Sequence, residues 1–281
     1  MKNRIITDEM INAYRQHLNK TEKSDNTVAK YIFNIRRFID QIGSFEISRK
    51  AVVSYKQALT ESKYSPSSVN SAIASINSLF SFLGWDDLKI KALCLQRQIF
   101  RPESKELTKS EYLRLVNTAI LCGKTRLAII LQTICSTGIR VSELQHITVE
   151  AARKGEATVT LKGKTRRVFI TDRMQKKLLR FATEQGITTG SIFITRNGKP
   201  VDRTNIWRDM KNLCLKSQID PRKVFPHNLR HLFARVFYGI EKDIAKLADI
   251  LGHSSIETTR IYIVSSGNEH RRHMESMNLI L

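Results

Sequence analysis

The sequence predicts a mainly α-helical chain with a small β-hairpin, divided into two domains. Three observations carry this. Apolar residues recur three and four apart through most of the 281 residues, while strand-like runs are confined to short stretches of the second half. An aperiodic segment over 99–107, containing Pro102, separates two blocks of such helices. At 41% hydrophobic, the chain can bury one large core or two ordinary ones.

The first block, residues 1–98, reads as a domain of four to five helices without strands. Asp8–Asn19 is a short amphipathic segment. From Asn26 to Ile42, the side chains of Val28, Tyr31, Ile32, Ile35, Phe38 and Ile39 form one apolar stripe, with Arg36 and Arg37 off it. A third helix is expected over Ser48–Ser62. A fourth starts at Pro66, a good first-turn residue, and runs through Val69, Ile73, Ile76, Leu79 and Phe80 to Gly84.

The second block, 108–281, opens with the capping box Thr108-Lys-Ser-Glu111. A strongly apolar helix covers 124–137, Gly138 interrupts it, and a helix restarts near Arg140. Ala157–Leu161 and Arg166–Ile170 are β-prone runs around Lys-Gly-Lys-Thr, a hairpin signal. Ser191–Thr195 suggests a third strand. Helices are expected over 172–185, 202–217, 227–238, 243–251 and 255–263, with a weaker one over 267–278.

Charge narrows the partners. Lys and Arg number 47 against 26 Asp and Glu, a net +21. Such a chain repels itself, which a polyanionic partner relieves. Both blocks are basic, so two domains could embrace one anionic ligand. No apolar run approaches the ~20 residues that cross a bilayer, and no apolar block follows the first basic residues as in a secretory signal. A cytoplasmic protein without membrane partners is expected. Cys94, Cys122, Cys135 and Cys214 form no C-x-x-C pair, so they read as buried thiols. No phosphate-cradling Gly-rich loop for a nucleotide is present.

Four stretches hold residues suited to a phosphodiester: TGIRVSEL (137–144), TLKGKTRR (160–167), HNLRH (227–231) and LGHSSIETTRIY (251–262). Arg140 follows Gly138-Ile139 at an expected helix start, where free N–H groups favour an anion, and Glu143 lies one turn on to brace it. By itself the pair reads better as a solvated ion pair of little energetic consequence. His227 and Arg230 share a helix face and could bind a phosphate and move a proton; a plain surface face is the alternative. His231 is read as pointing elsewhere, a packing histidine. Lys162 and Lys164 lie at the hairpin tip, either to protonate a leaving oxygen or to solubilise a turn. Tyr262, nine residues after His253, is either a nucleophile or a half-buried core tyrosine. Together they offer two arginines, a lysine, two histidines and a tyrosine, with no carboxylate cluster for a metal. That is an inventory for phosphoryl transfer in which guanidiniums neutralise the transition state.

At this point the sequence resembles the tyrosine recombinase (phage-integrase) family, in its short, Xer-like form. TGIRVSEL, HNLRH, LGHSS and the TTRIY around Tyr262 carry the likeness, which makes 105–281 look like the catalytic α+β domain and 1–98 like the helical core DNA-binding domain. The resemblance implies that Arg140, Lys162, His227, Arg230, His253 and Tyr262 fill the active-site places. Lys164 is an alternative to Lys162 because the hairpin is about a residue shorter than the common form. It also implies a clamp around double-stranded DNA at a specific recombination site, a homotetramer on two duplexes, and strand exchange through a 3′-phosphotyrosyl link and a Holliday junction. Neither metal nor other cofactor is expected, and the place of action is the nucleoid. Integration, excision or inversion of a mobile element is the expected use. The tail from Asn268 to Leu281, with Met274, Met277, Leu279 and Ile280, is a candidate for docking on a neighbouring subunit. Two rivals stand beside this reading: a type IB topoisomerase-like enzyme that nicks and reseals, and a non-catalytic DNA-binding regulator.

Overall fold

The computed structural model describes residues 4–43, 46–95, 103–161, 164–263 and 274–277. The chain forms two compact units, Met1–Arg97 and Gln98–Leu281.

Four α-helices make the first unit: α1 (Asp8–Lys20), α2 (Asp25–Ile42), α3 (Arg49–Glu61) and α4 (Pro66–Leu83). Their starts are local chemistry. The hydroxyls of Thr7, Ser48 and Ser65 accept from the backbone N–H of Met10, Ala51 and Ser68, satisfying donors that a first turn leaves open. The α2 stripe turns inward, with Ile35 and Phe38 fully buried against Val52 of α3 and Ile76, Leu79 and Phe80 of α4. Burying each such side chain contributes about 1.5–3 kcal/mol. Two asparagines seven apart on α4 then fasten the segment that follows. Asn77 exchanges both amide hydrogen bonds with the backbone of Ile90, and Asn70 does the same with Leu93.

The second unit begins with α5 (Lys109–Leu121), whose capping box is formed: Thr108 Oγ1 accepts from Glu111 N, and Glu111 Oε2 accepts from Thr108 N. The next helix, α6 (Thr125–Thr137), is apolar on nearly every side because α5, a later helix α8 (Asp172–Glu184) and a later helix α10 (Pro226–Glu241) all pack on it. Gly138 ends α6 at φ 64°. The restart expected near Arg140 is a 3-10 segment, Val141–His146, followed by α7 (Val149–Lys154). Strands β1 (Glu156–Leu161) and β2 (Lys164–Phe169) pair antiparallel, Val159 opposite Arg166 and Leu161 opposite Lys164. The remaining helices are α9 (Arg203–Ser217), α11 (Ile244–Leu251) and α12 (Ile256–Ile263). Just before α5, Leu107 is buried in this unit's core, and Arg235 of α10 binds its carbonyl and the carboxylate of Glu106.

Two expectations change, and a third lies mostly beyond the described residues. Ser191–Thr195 is not a strand: it makes only isolated bridges, Thr148 to Ser191 and Ile194 to Pro200. The consecutive residues Ile192 and Phe193 are both buried, which strand alternation forbids on a one-sided sheet, and Pro200 has no N–H to extend a ladder. Cys94 is exposed, so only Cys214 of the four thiols is fully buried. The expected helix 267–278 falls mostly outside the described residues; of it, 274–276 form a helical turn with Met274 and Met277 exposed.

Candidate active site

Four segments far apart in sequence supply one polar cluster in the second unit. The end of α6 delivers Arg140, the start of α10 delivers His227 and Arg230, the α11–α12 turn delivers His253, and α12 delivers Tyr262. Pro226 occupies the first turn of α10 and lacks the N–H that this turn leaves unbonded, so His227 and Arg230 begin the helix on one face.

Arg230 is the pivot. It is 1% exposed, the largest fully buried side chain of the described residues. Its Nη1 donates to the Gly138 carbonyl at 2.5 Å, and its Nη2 donates to the Leu251 carbonyl at 2.6 Å and to His253 Nε2 at 3.0 Å. These partners carry no negative charge, and Arg230 Nε is a buried donor without a partner. Burial, and next the repulsion of Arg140, push its pKa down to about 10, so it stays a cation at neutral pH. A buried guanidinium without a carboxylate against it is costly to fold around, a cost that an anionic ligand would offset.

Arg140 and Arg166 surround one buried carboxylate, Glu143. Arg140 Nη1 meets Oε1 at 2.9 Å, and Arg166 Nη2 meets Oε2 at 2.7 Å. Glu143 also accepts the backbone N–H of Arg140 at 2.9 Å, so the N–H expected to face an anion is already taken by this carboxylate. Arg166 Nε donates to the Leu251 carbonyl, the acceptor that Arg230 also uses. Three guanidiniums therefore stand against one carboxylate, and a positive excess is left for a ligand.

The other wall is a set of rings. Tyr262 is 7% exposed and its hydroxyl lies 3.4 Å from His227 Nε2. Its ring stacks on His231 at 4.1 Å between centroids and lies 5.1 Å from that of His253. His231 is thus on the same side of α10 as His227, as a separation of four residues requires, and the expectation that it points elsewhere is corrected. His253 Nδ1 pairs with Thr259 Oγ1 at 2.9 Å. Burial, and next the charge of Arg230, lower the His253 pKa to about 4, so the ring is neutral at physiological pH.

The structure brings Arg140, His227, Arg230, His253 and Tyr262 of the expected set together, with Glu143 as the brace. Lys162 lies outside the described residues. Lys164 is placed by its backbone, opposite Leu161. Sequence reasoning missed Arg166 and Thr259. A signal for Arg166 existed: with Val168 and Ile170, both buried, it keeps strict alternation on the inward face, so an arginine there needed a buried partner. Nothing local marked Thr259, whose partner is on the preceding turn.

Residues 105–269 match the phage integrase family, and residues 10–90 match the family's N-terminal SAM-like domain. Among curated proteins, the chain is 25% identical over 288 residues to the tyrosine recombinase XerA of Pyrococcus furiosus, covering 100% of this chain and 98% of that protein. It is 25% identical over 258 residues to the tyrosine recombinase XerD of Vibrio cholerae, covering 85% of each. Among solved structures, the fold is similar to the Tn1549 transposon integrase in complex with transposon right end DNA, with a TM-score of 0.71 and 14% identity, covering 96% of this chain and 99% of that one. A lambda integrase dimer bound to a COC′ core site gives a TM-score of 0.71 at 17% identity, covering 92% of this chain and 95% of that one.

Proposed function

The chain belongs to the phage integrase family of tyrosine recombinases, and from that footing we propose that it cuts and rejoins double-stranded DNA at a specific site through Tyr262. The observation that carries this is the Tyr262 hydroxyl beside His227, in a cluster whose buried Arg230 has no carboxylate partner.

In the proposed reaction the phenol oxygen attacks a backbone phosphorus. His227 accepts the phenolic proton, the phosphorus–O5′ bond breaks, and Lys162 protonates the departing 5′ oxygen. The 3′-phosphotyrosyl ester keeps the bond energy, so a 5′-hydroxyl of another strand reverses the step. Arg140 and Arg230 hold the non-bridging oxygens as charge builds on them, and His253 donates a further hydrogen bond. Lys162 is assigned by the Lys-Gly pair in the sequence, as the family resemblance implies, with Lys164 the alternative. Four such chains on two duplexes would exchange strands in turn through a Holliday junction, giving integration, excision or inversion at the nucleoid.

The deciding experiment is a covalent-trapping gel with a labelled, nicked copy of the target DNA. The wild-type protein should leave a labelled adduct, and Tyr262→Phe should bind the same DNA without one. An adduct from that variant removes Tyr262 from the role. Relaxation of supercoiled DNA without any target site would mark a topoisomerase, and binding without an adduct by the wild type would mark a regulator.

A further inference from the structure

His253 faces two demands that conflict. Arg230 Nη2 has only hydrogens to offer, so at 3.0 Å His253 Nε2 must present its lone pair. The single proton of the neutral ring then sits on Nδ1 and is donated to Thr259 Oγ1 at 2.9 Å. The role given to His253 in the proposed reaction is the reverse: Nε2 must carry a proton to donate to phosphate. A neutral ring does that only if Nδ1 becomes the acceptor. A carbonyl or carboxylate beside Nδ1 would forbid the change, because it can only accept. A hydroxyl donates as well as accepts. Thr259 is fully buried, which makes His253 its partner in place of bulk water.

We propose that Thr259 is a positioning residue whose hydroxyl turns from acceptor to donor, letting His253 exchange tautomers when a phosphate enters the arginine cluster. One proton leaves Nδ1 to water and one arrives at Nε2 from water, so the ring keeps its charge. The exchange has a second product: the Arg230 Nη2–H that was spent on Nε2 is released toward the phosphate. In the DNA-free protein His253 therefore holds back one donor of Arg230 and its own, and both are delivered together. The inference rests on the proposed phosphate chemistry of this cluster.

Nitrogen NMR of full-length protein labelled at histidine reads the tautomer directly, with inorganic phosphate added as the probe until the spectrum stops changing. The wild type should hold its proton on Nδ1 of His253 alone and on Nε2 with phosphate, and Thr259→Ser should switch in the same way. Thr259→Asp, which only accepts, should stay with the proton on Nδ1. Thr259→Val, of nearly the same shape, should cleave nicked target DNA about tenfold more slowly, the worth of one hydrogen bond. A proton on Nε2 in the free wild type, or a His253 spectrum unmoved by phosphate, overturns the inference even if Tyr262 forms its adduct. If the tautomer switches but no adduct forms, the recombinase chemistry falls and the switch stands.

Discussion

Arg166 and Arg230 converge on a single acceptor, the carbonyl oxygen of Leu251, at 3.2 and 2.6 Å. Two like charges are held together there by a neutral dipole, with Glu143 anchoring Arg166 from the other end. The carbonyl belongs to the last turn of α11, immediately before Gly252 and His253. The position of that turn is therefore coupled to both guanidiniums, and its disturbance should reach the whole arginine cluster.

Gly252→Ala tests this coupling. Gly252 has φ +64°, and a Cβ there would lie 2.2 Å from Arg166 Cδ and 2.5 Å from Nε. Cδ is in the middle of a side chain fixed at its end, so it has little room to retreat. We expect a loss of roughly 1–3 kcal/mol from backbone strain and overpacking together. Urea unfolding should register the stability loss, and trapping gels should show slower cleavage with DNA binding retained.

Glu143→Ala removes the carboxylate that Arg140 and Arg166 share. The side chain is 2% exposed, so two buried or half-buried cations and one backbone N–H lose their partner at once. Breaking such a buried pair from one side costs about 3–5 kcal/mol. A fall in the free energy of unfolding of that size is expected, whereas breaking the exposed pair Arg180–Glu184 with Glu184→Ala should change stability by less than about 1 kcal/mol.

Arg230→Ala should slow formation of the covalent adduct by about 10²–10³-fold, the cost of losing one fixed transition-state donor. Affinity for target DNA should fall far less, because Arg230 meets a single phosphate in the proposed complex while a chain of net charge +21 offers many other cations to the backbone. Single-turnover kinetics with a separate binding measurement separates the two. Equal losses in both would make Arg230 a binding residue only.

Stability should fall in mild acid. The His253 pKa is lowered from 6.5 to about 4, first by burial and then by Arg230. Between these values the unfolded chain takes up a proton that the folded site refuses. The contribution is complete above about pH 6.5 and is lost as pH falls toward about 4. His253→Asn should flatten the stability profile across that window; an unchanged slope there would assign the acid sensitivity to other groups. The EDTA control belongs beside it: with guanidiniums in place of a metal ion, the chelator should leave adduct formation intact.

Much of this molecule was legible along the chain, for local reasons. The α2 stripe from Val28 to Phe38, the capping box at Thr108 and Glu111, Pro66 and Pro226 in first turns, and Gly138 and Gly252 past helix ends all depend on neighbours a few residues away. The residue types of the site stood out for the same reason, since each lay in a short string with a glycine, proline or cap beside it. Ile192 and Phe193 misled because a short apolar run says that it is buried without saying how.

Contacts across long stretches of chain settled the rest. Arg230 meets Gly138 across 92 residues and Arg166 meets Leu251 across 85, and no local pattern encodes either. The burial of Arg230 without a carboxylate against it, the inward turn of Arg166, and the stacking of His231 on Tyr262 exist only once α6, β2, α10 and α12 are packed together. So does the proton on His253 Nδ1, which Arg230 dictates by having nothing but hydrogens to present. Periodicity and capping act within a few turns of one helix, so the order of residues carries them; protonation and desolvation depend on every group within a few ångströms, and only folding chooses those.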